Sequence, residues 1–254
     1  MHYYIILLFM VNSLFADCNI SYELKSIIFT AVQDGDIKTL TKFVSNNKNV
    51  NCQNKFKTSI LLKATFYNQL SIVKYLVENG ADIHISDSKE MTPFAVAVKN
   101  DYIETAKYLL SKGADFKKVY WIDQTPYLKA IANNNLEIFK AMVNLGLNVD
   151  TTVGDKTPLL SRSIMSGSKK IANYLIKNGA NINLANKYGK TPLMYAAHFK
   201  RVELLKTLLK YNVNINAKTS DGRTVLYYAS FNKEYPGKTK YIIKLLLKNG
   251  IYRK

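Results

Sequence analysis

The sequence predicts an all-α solenoid of about seven helix-turn-helix repeats joined by β-hairpin fingers, and three series of residues predict it. Small residues fall at Ala31, Ala64, Ala97, Ala130, Ser163, Ala196 and Ala229, each 33 after the last. Asn47, Gly80, Gly113, Gly146, Gly179 and Asn212 share the spacing of 33, as do Ser26, Ser59, Thr92, Thr125, Pro158, Thr191 and Thr224. A period of this length marks stacked repeats, in which each copy covers the apolar side of its neighbour.

Each position in the period has a physical role. Thr-Pro reads as a helix start, because the hydroxyl caps a free amide and proline loses nothing at the first helical position. It occurs at Thr92-Pro93, Thr125-Pro126, Thr157-Pro158 and Thr191-Pro192. The small residue that follows lets two helix backbones approach closely. A second helix carries apolar residues at helical spacing, as in Val202, Leu205, Leu208 and Leu209. Gly or Asn is then expected to end it in the left-handed region. The extended segments "ADIHISD" and "ANINLAN" follow and are expected to turn back as hairpins.

This spacing divides the chain into a leader, 1–16, and a repeat domain, 17–254, with repeats near 21–53, 54–86, 87–119, 120–152, 153–185, 186–218 and 219–254. Three repeats depart from the pattern. The first lacks Thr-Pro and ends at Asn47, as a polar cap would. The fifth has Thr157-Pro158 one residue early, which should distort its helix or its finger. The seventh has five extra residues around Glu234–Lys238, so that Gly250 comes late and Pro236-Gly237 is expected to enlarge the loop between its helices.

The opening "MHYYIILLFMVNSLFADC" has an apolar run too short for a membrane span, which needs about 20 residues. It has the length of a signal-peptide core, with Ala16 at the cleavage position, although no Lys or Arg precedes it. The competing reading is an apolar segment packed on the first repeat. Cys18 also raises lipid attachment, but Asp17 stands where a lipoprotein signal places a small residue. Cys18 and Cys52 lie 34 apart, at nearly equivalent places in successive repeats. Export would favour a bridge between them, and retention inside the cell two unpaired thiols.

The composition excludes a disordered chain: 48% of residues are hydrophobic and 21% charged. The formal net charge is +18, and only Arg162, Arg201, Arg223 and Arg253 are arginines. Solvated lysines from A/T-rich codons are one reading. Attraction of acidic partners is the other. The sequence shows no constellation for chemistry. His2, His84 and His198 are scattered, the cysteines and histidines lack zinc spacing, and no glycine-rich phosphate loop occurs. No enzyme activity, cofactor or metal is expected.

The segments "KTPLMYAA", "MTPFAVAV", "QTPYLKAI", "KTPLLSRS", "YLVENGADIHISD", "YLLSKGADF" and "YLIKNGANINLAN" resemble ankyrin repeats, from about residue 21 to 254. The resemblance implies a non-catalytic protein-interaction scaffold that binds through a concave face of first-helix ends and finger tips. Carried onto this sequence, it points to Phe66, Tyr67, Lys99, His198, Phe199 and Phe231 on helices, and to Phe56, Trp121 and Tyr188 on finger tips. Trp121 has a second reading, as packing between fingers. The partner expected is an acidic protein met by an exported monomer, secreted or periplasmic. The alternatives are a basic binder of polyanions or cell surfaces, a lipoprotein held through Cys18, and an effector that intercepts a protein in a host cytoplasm. Few arginines and no recognisable nucleic-acid motif argue against nucleic acid.

Overall fold

A computed structural model describes residues 22–44, 50–54, 56–120, 124–231 and 235–251. The chain folds as two compact halves, one up to Pro126 and one from Tyr127. The N-terminal half contains α1 (Tyr22–Asp34), α2 (Ile37–Val44), α3 (Ile60–Phe66), α4 (Leu70–Glu78), α5 (Pro93–Lys99) and α6 (Ile103–Ser111). Helix α7 (Pro126–Ala132) leads into the C-terminal half, with α8 (Leu136–Asn144), β1 (Thr152–Val153), β2 (Thr157–Pro158), α9 (Leu159–Ser166), α10 (Lys169–Lys177), α11 (Pro192–His198), α12 (Val202–Leu208), α13 (Val225–Phe231) and α14 (Pro236–Lys248). The odd-numbered helices from α3 to α13 start at residues 60, 93, 126, 159, 192 and 225, keeping the 33-residue register throughout.

Local chemistry sets these starts. Ser59, Thr92 and Thr191 accept N–H bonds from Leu62, Ala95 and Met194, and Pro93 and Pro192 occupy the first turn of their helices. Thr157-Pro158 does not start a helix as the sequence suggested. It pairs antiparallel with Thr152–Val153, and Pro158 becomes an N-cap without a side-chain bond. The early Thr-Pro thus changes the finger and leaves α9 in register.

Packing follows the column of small residues. Ala64, Ala97, Ala130, Ser163, Ala196 and Ala229 are all 0% exposed. Helix α3 packs between α1 and α5, and α11 between α9 and α13. The second helices end in a left-handed glycine at Gly80, Gly113, Gly146, Gly179 and Gly250. The next residue, such as Ala81 or Ala180, is buried and bonds back to the helix, Ala81 N–H to Leu76 O at 2.9 Å and Ala180 N–H to Leu175 O at 3.0 Å. Asn212 breaks this expectation. It is not left-handed; α12 stops at Leu208, and its cap, Leu209, stays right-handed. Pro236-Gly237 also differs from expectation: instead of a loop it opens α14, a helix of 13 residues, with Pro236 in the first turn. The extra residues lengthen the second helix, because proline needs no amide partner there.

Successive repeats are tied by side chains at the N-caps of second helices. Gln69 donates to Gln33 O at 2.8 Å, Tyr102 to Phe66 O at 3.3 Å and Arg201 to Met165 O at 3.0 Å. Ser168 donates to Ile131 O in the same way. Each acceptor lies in the last turn of the preceding first helix, where carbonyls have no partner within the helix. The fingers have their own ties. Ser88 N–H donates to Phe56 O at 3.2 Å, Lys187 N–H to Asp155 O at 2.9 Å and Ser220 N–H to Tyr188 O at 3.0 Å. Asp82, Asp115, Asn148, Asn181 and Asn214 each accept the N–H two residues on, fixing the bend that enters the finger.

Ala196→Val would push extra methyls between α11 and its neighbours. The expected result is a loss of about 1–3 kcal/mol in urea unfolding with the far-ultraviolet dichroism retained; an unchanged midpoint would contradict this packing.

Candidate protein-binding surface

In the C-terminal half the ends of α11 and α13 bring aromatic rings together. The ring of His198 lies 4.9 Å from Phe199, 5.9 Å from Tyr228 and 5.5 Å from Phe231. Tyr227 lies 5.4 Å from Tyr228 and 5.8 Å from Phe231. The helix repeat places residues 198 and 231 at equivalent positions, so ring meets ring across two adjacent first helices. Phe231 is 60% exposed, and Phe199 and Tyr227 also face solvent. Cations flank the rings. Lys190 Nζ lies 4.4 Å from the Tyr195 ring and 4.2 Å from that of Tyr228, and the Arg223 guanidinium lies 4.6 Å from the Tyr227 ring.

His198 sits at the centre of this cluster. Its Nδ1 is buried with no hydrogen-bond partner among the described residues. Burial, and then the charges of Lys190 and Lys200, hold its pKa below the ordinary histidine value. Lys200 adopts the left-handed region in the turn between α11 and α12, with φ 52°, and donates to Ala229 O. Burial lowers the pKa of Lys200 as well.

The N-terminal half has a smaller patch at the end of α3. Phe66 is 58% exposed and meets half-buried Tyr67 edge-on at 5.5 Å. Lys63 Nζ lies 4.9 Å from the Tyr67 ring and 5.6 Å from that of Phe29. Lys99, at the same repeat position as Phe66, is exposed and brings no ring.

The finger tips present Phe56 and Tyr188, 59% and 51% exposed. Their backbones are fixed: the Phe56 N–H donates to Asn54 Oδ1 at 2.9 Å, and the Tyr188 N–H to Asn186 Oδ1 at 3.0 Å. Lys187 pairs with Asp155 at 2.6 Å and lies 4.9 Å from the Tyr188 ring.

Residues 1–16, expected to form a leader, lie outside the described residues, as do Cys18, Asn47 and Trp121. Cys52 is buried and disulfide-bonded. Sequence reasoning found His198, Phe199 and Phe231 but missed Tyr195, Tyr227, Tyr228, Lys190 and Arg223. Tyr195 and Tyr228 stand 33 apart, one turn of helix before His198 and Phe231, and that spacing was the available signal. Among the described residues no group of three or more His, Cys, Asp or Glu is placed to hold a metal ion, and no helix is long and apolar enough to cross a membrane.

Comparison with known proteins fits this architecture. The family model for ankyrin repeats matches residues 28–120, 121–186 and 166–253. A putative ankyrin repeat protein of Escherichia coli, YahD, is 31% identical over 173 residues, covering 65% of this chain and 86% of that protein. The mouse fibronectin type 3 and ankyrin repeat domains 1 protein is 52% identical over 48 residues, 19% of this chain; the chain spans only 14% of that relative's length. Among solved structures, the human ASB11 ankyrin repeat domain superposes with a TM-score of 0.72 at 21% identity, covering 89% of this chain and 99% of that one. The chain belongs to the ankyrin repeat family. That fold is generally a protein–protein interaction scaffold and typically non-catalytic.

The lowered pKa of His198 makes stability pH dependent. Below the unfolded value of 6.5 the unfolded chain binds a proton that the folded site resists, so stability falls as pH drops from there. His198→Phe is expected to reduce the drop in urea midpoint between pH 7.5 and pH 5; an equal drop in both proteins would contradict it.

Proposed function

We propose that the chain is a non-catalytic scaffold that holds an acidic protein partner on the first-helix ends and finger tips. The observation that carries this reading is the ring cluster of His198, Phe199, Tyr227, Tyr228 and Phe231. Contiguous exposed rings are unfavourable in water unless something covers them, and large rings with few rotatable bonds anchor interfaces at modest entropic cost. The flanking Lys190, which has no carboxylate partner among the described residues, favours carboxylates on the partner. Within the N-terminal half, the Phe66–Tyr67 patch is a separate candidate contact. The chain acts after export, with its leader removed near Ala16 and Cys18 bridged to Cys52; the disulfide at Cys52 supports an oxidising compartment.

Two measurements test this. A photocrosslinking amino acid at Tyr227 should capture one discrete partner in the native cells, and the same group at Lys170 should not. Phe199→Ala with Phe231→Ala should weaken that partner's binding at least tenfold, as expected of anchor residues worth about 2 kcal/mol together. Equal capture at both positions, or unchanged affinity, would defeat the reading. For export, the mature protein isolated from its native source should begin just after Ala16 and lose its bridge only on reduction. An intact leader with both thiols free would exclude it.

A further inference from the structure

The second helices of the C-terminal half form a face separate from the ring cluster. Helices α8, α10, α12 and α14 together carry nine lysines and no arginine, against two carboxylates, Glu137 and Glu203. The second helices of the N-terminal half, α2, α4 and α6, carry four lysines against two glutamates, Glu78 and Glu104. The four helices are neighbours. Helix α10 packs on α8 and α12, and Lys206 of α12 lies 5.3 Å from the Tyr241 ring of α14.

The two carboxylates do little to neutralise the face. Both sit in the first turn of their helices, where the helix dipole favours them, and each pairs with the lysine three residues on, Glu137 with Lys140 at 4.0 Å and Glu203 with Lys206 at 3.2 Å. Lys170, Lys177, Lys244 and Lys248, with Lys210 just beyond α12, are exposed and have no carboxylate partner among the described residues. Tyr211, Tyr241 and Leu247 are exposed between them.

We propose that this face docks on an anionic lipid bilayer. Unpaired lysines on flexible stems suit mobile, dispersed headgroup charges, and each one near such a surface adds to the attraction. The exposed tyrosines and Leu247 have the mixed character that settles at a bilayer interface. Nucleic acid fits less well. Base stacking needs open aromatic faces, yet Tyr174 is half-buried with Lys140 at 5.9 Å, and Lys206 stands over one face of Tyr241 at 5.3 Å. Bidentate phosphate contacts also want arginine, which these helices lack.

The test is vesicle co-sedimentation of the full chain, comparing phosphatidylcholine alone with phosphatidylcholine containing phosphatidylserine. The expected result is binding to the anionic vesicles that exceeds binding to the neutral ones and falls steeply between low and high salt. Replacing Lys170, Lys177, Lys210, Lys244 and Lys248 by Gln should reduce the anionic-over-neutral ratio by about thirtyfold or more. A matched protein with Lys38, Lys42, Lys74, Lys107 and Lys112 changed to Gln should lose less than about threefold, although its net charge is the same. Circular dichroism checks that both fold. Equal losses would show that only net charge matters and would overturn the proposal. So would equal binding to both vesicle types, as an apolar leader would give. Tight, lysine-dependent binding to single-stranded RNA without vesicle preference would assign the face to nucleic acid instead.

Discussion

Most helices here have seven to nine residues, and helices that short do not persist in water alone. Everything else in the structure answers that constraint. Each first helix from α3 to α13 presents an alanine or serine with no exposed surface to its neighbours, so that backbones approach and larger side chains such as Phe94 and Phe139 close the space around them. The N-caps of the second helices show the same priority. Gln69, Tyr102, Ser168 and Arg201 make no cap bond to their own helices. Their side chains reach back to carbonyls of the preceding repeat instead. Each such bond contributes only about 1 kcal/mol, but it satisfies an orphan carbonyl and fixes the spacing between repeats in one step.

That rigidity prepares the surface. At the finger tips the backbones of Phe56 and Tyr188 are held within the turn and across to the next finger, while their side chains stay exposed. At the helix ends, the equivalence of residues 198 and 231 stacks rings that belong to different repeats. Charge is partitioned as well. In the C-terminal half Asp150, Asp155 and Asp221 lie in fingers, where Asp155 and Asp221 pair with Lys187 and Arg223. The outer faces of the second helices stay strongly basic.

The fold was legible because its period is written in residues whose roles are purely local: a hydroxyl cap, a proline, a small residue and a glycine. Where sequence reading failed, the local signal allowed a second outcome. Thr157-Pro158 has the cap signature, but standing one residue early it joins a strand pair in the finger, and α9 keeps its register. Asn212 can adopt the left-handed region, yet the chain leaves α12 by a right-handed cap. Pro236 signals a break and also fits a first turn, and the structure uses the second property. The site was half legible. Exposed ring positions follow from the period, but the pairing of Tyr228 and Lys190 with them depends on how two repeats stack, which no single repeat encodes.

Amide hydrogen exchange under native conditions tests the central claim most directly. If a repeat is ordered only by its neighbours, the amides that bridge repeats should open together with helix amides beside them. The amides of Asn214, bonded to Asn183, and Ser220, bonded to Tyr188, should then exchange with the same free energy as Leu205 within α12. Free exchange at Asn214 and Ser220 while Leu205 stays protected would show that a helix pair stands without its neighbours, and the account would fail.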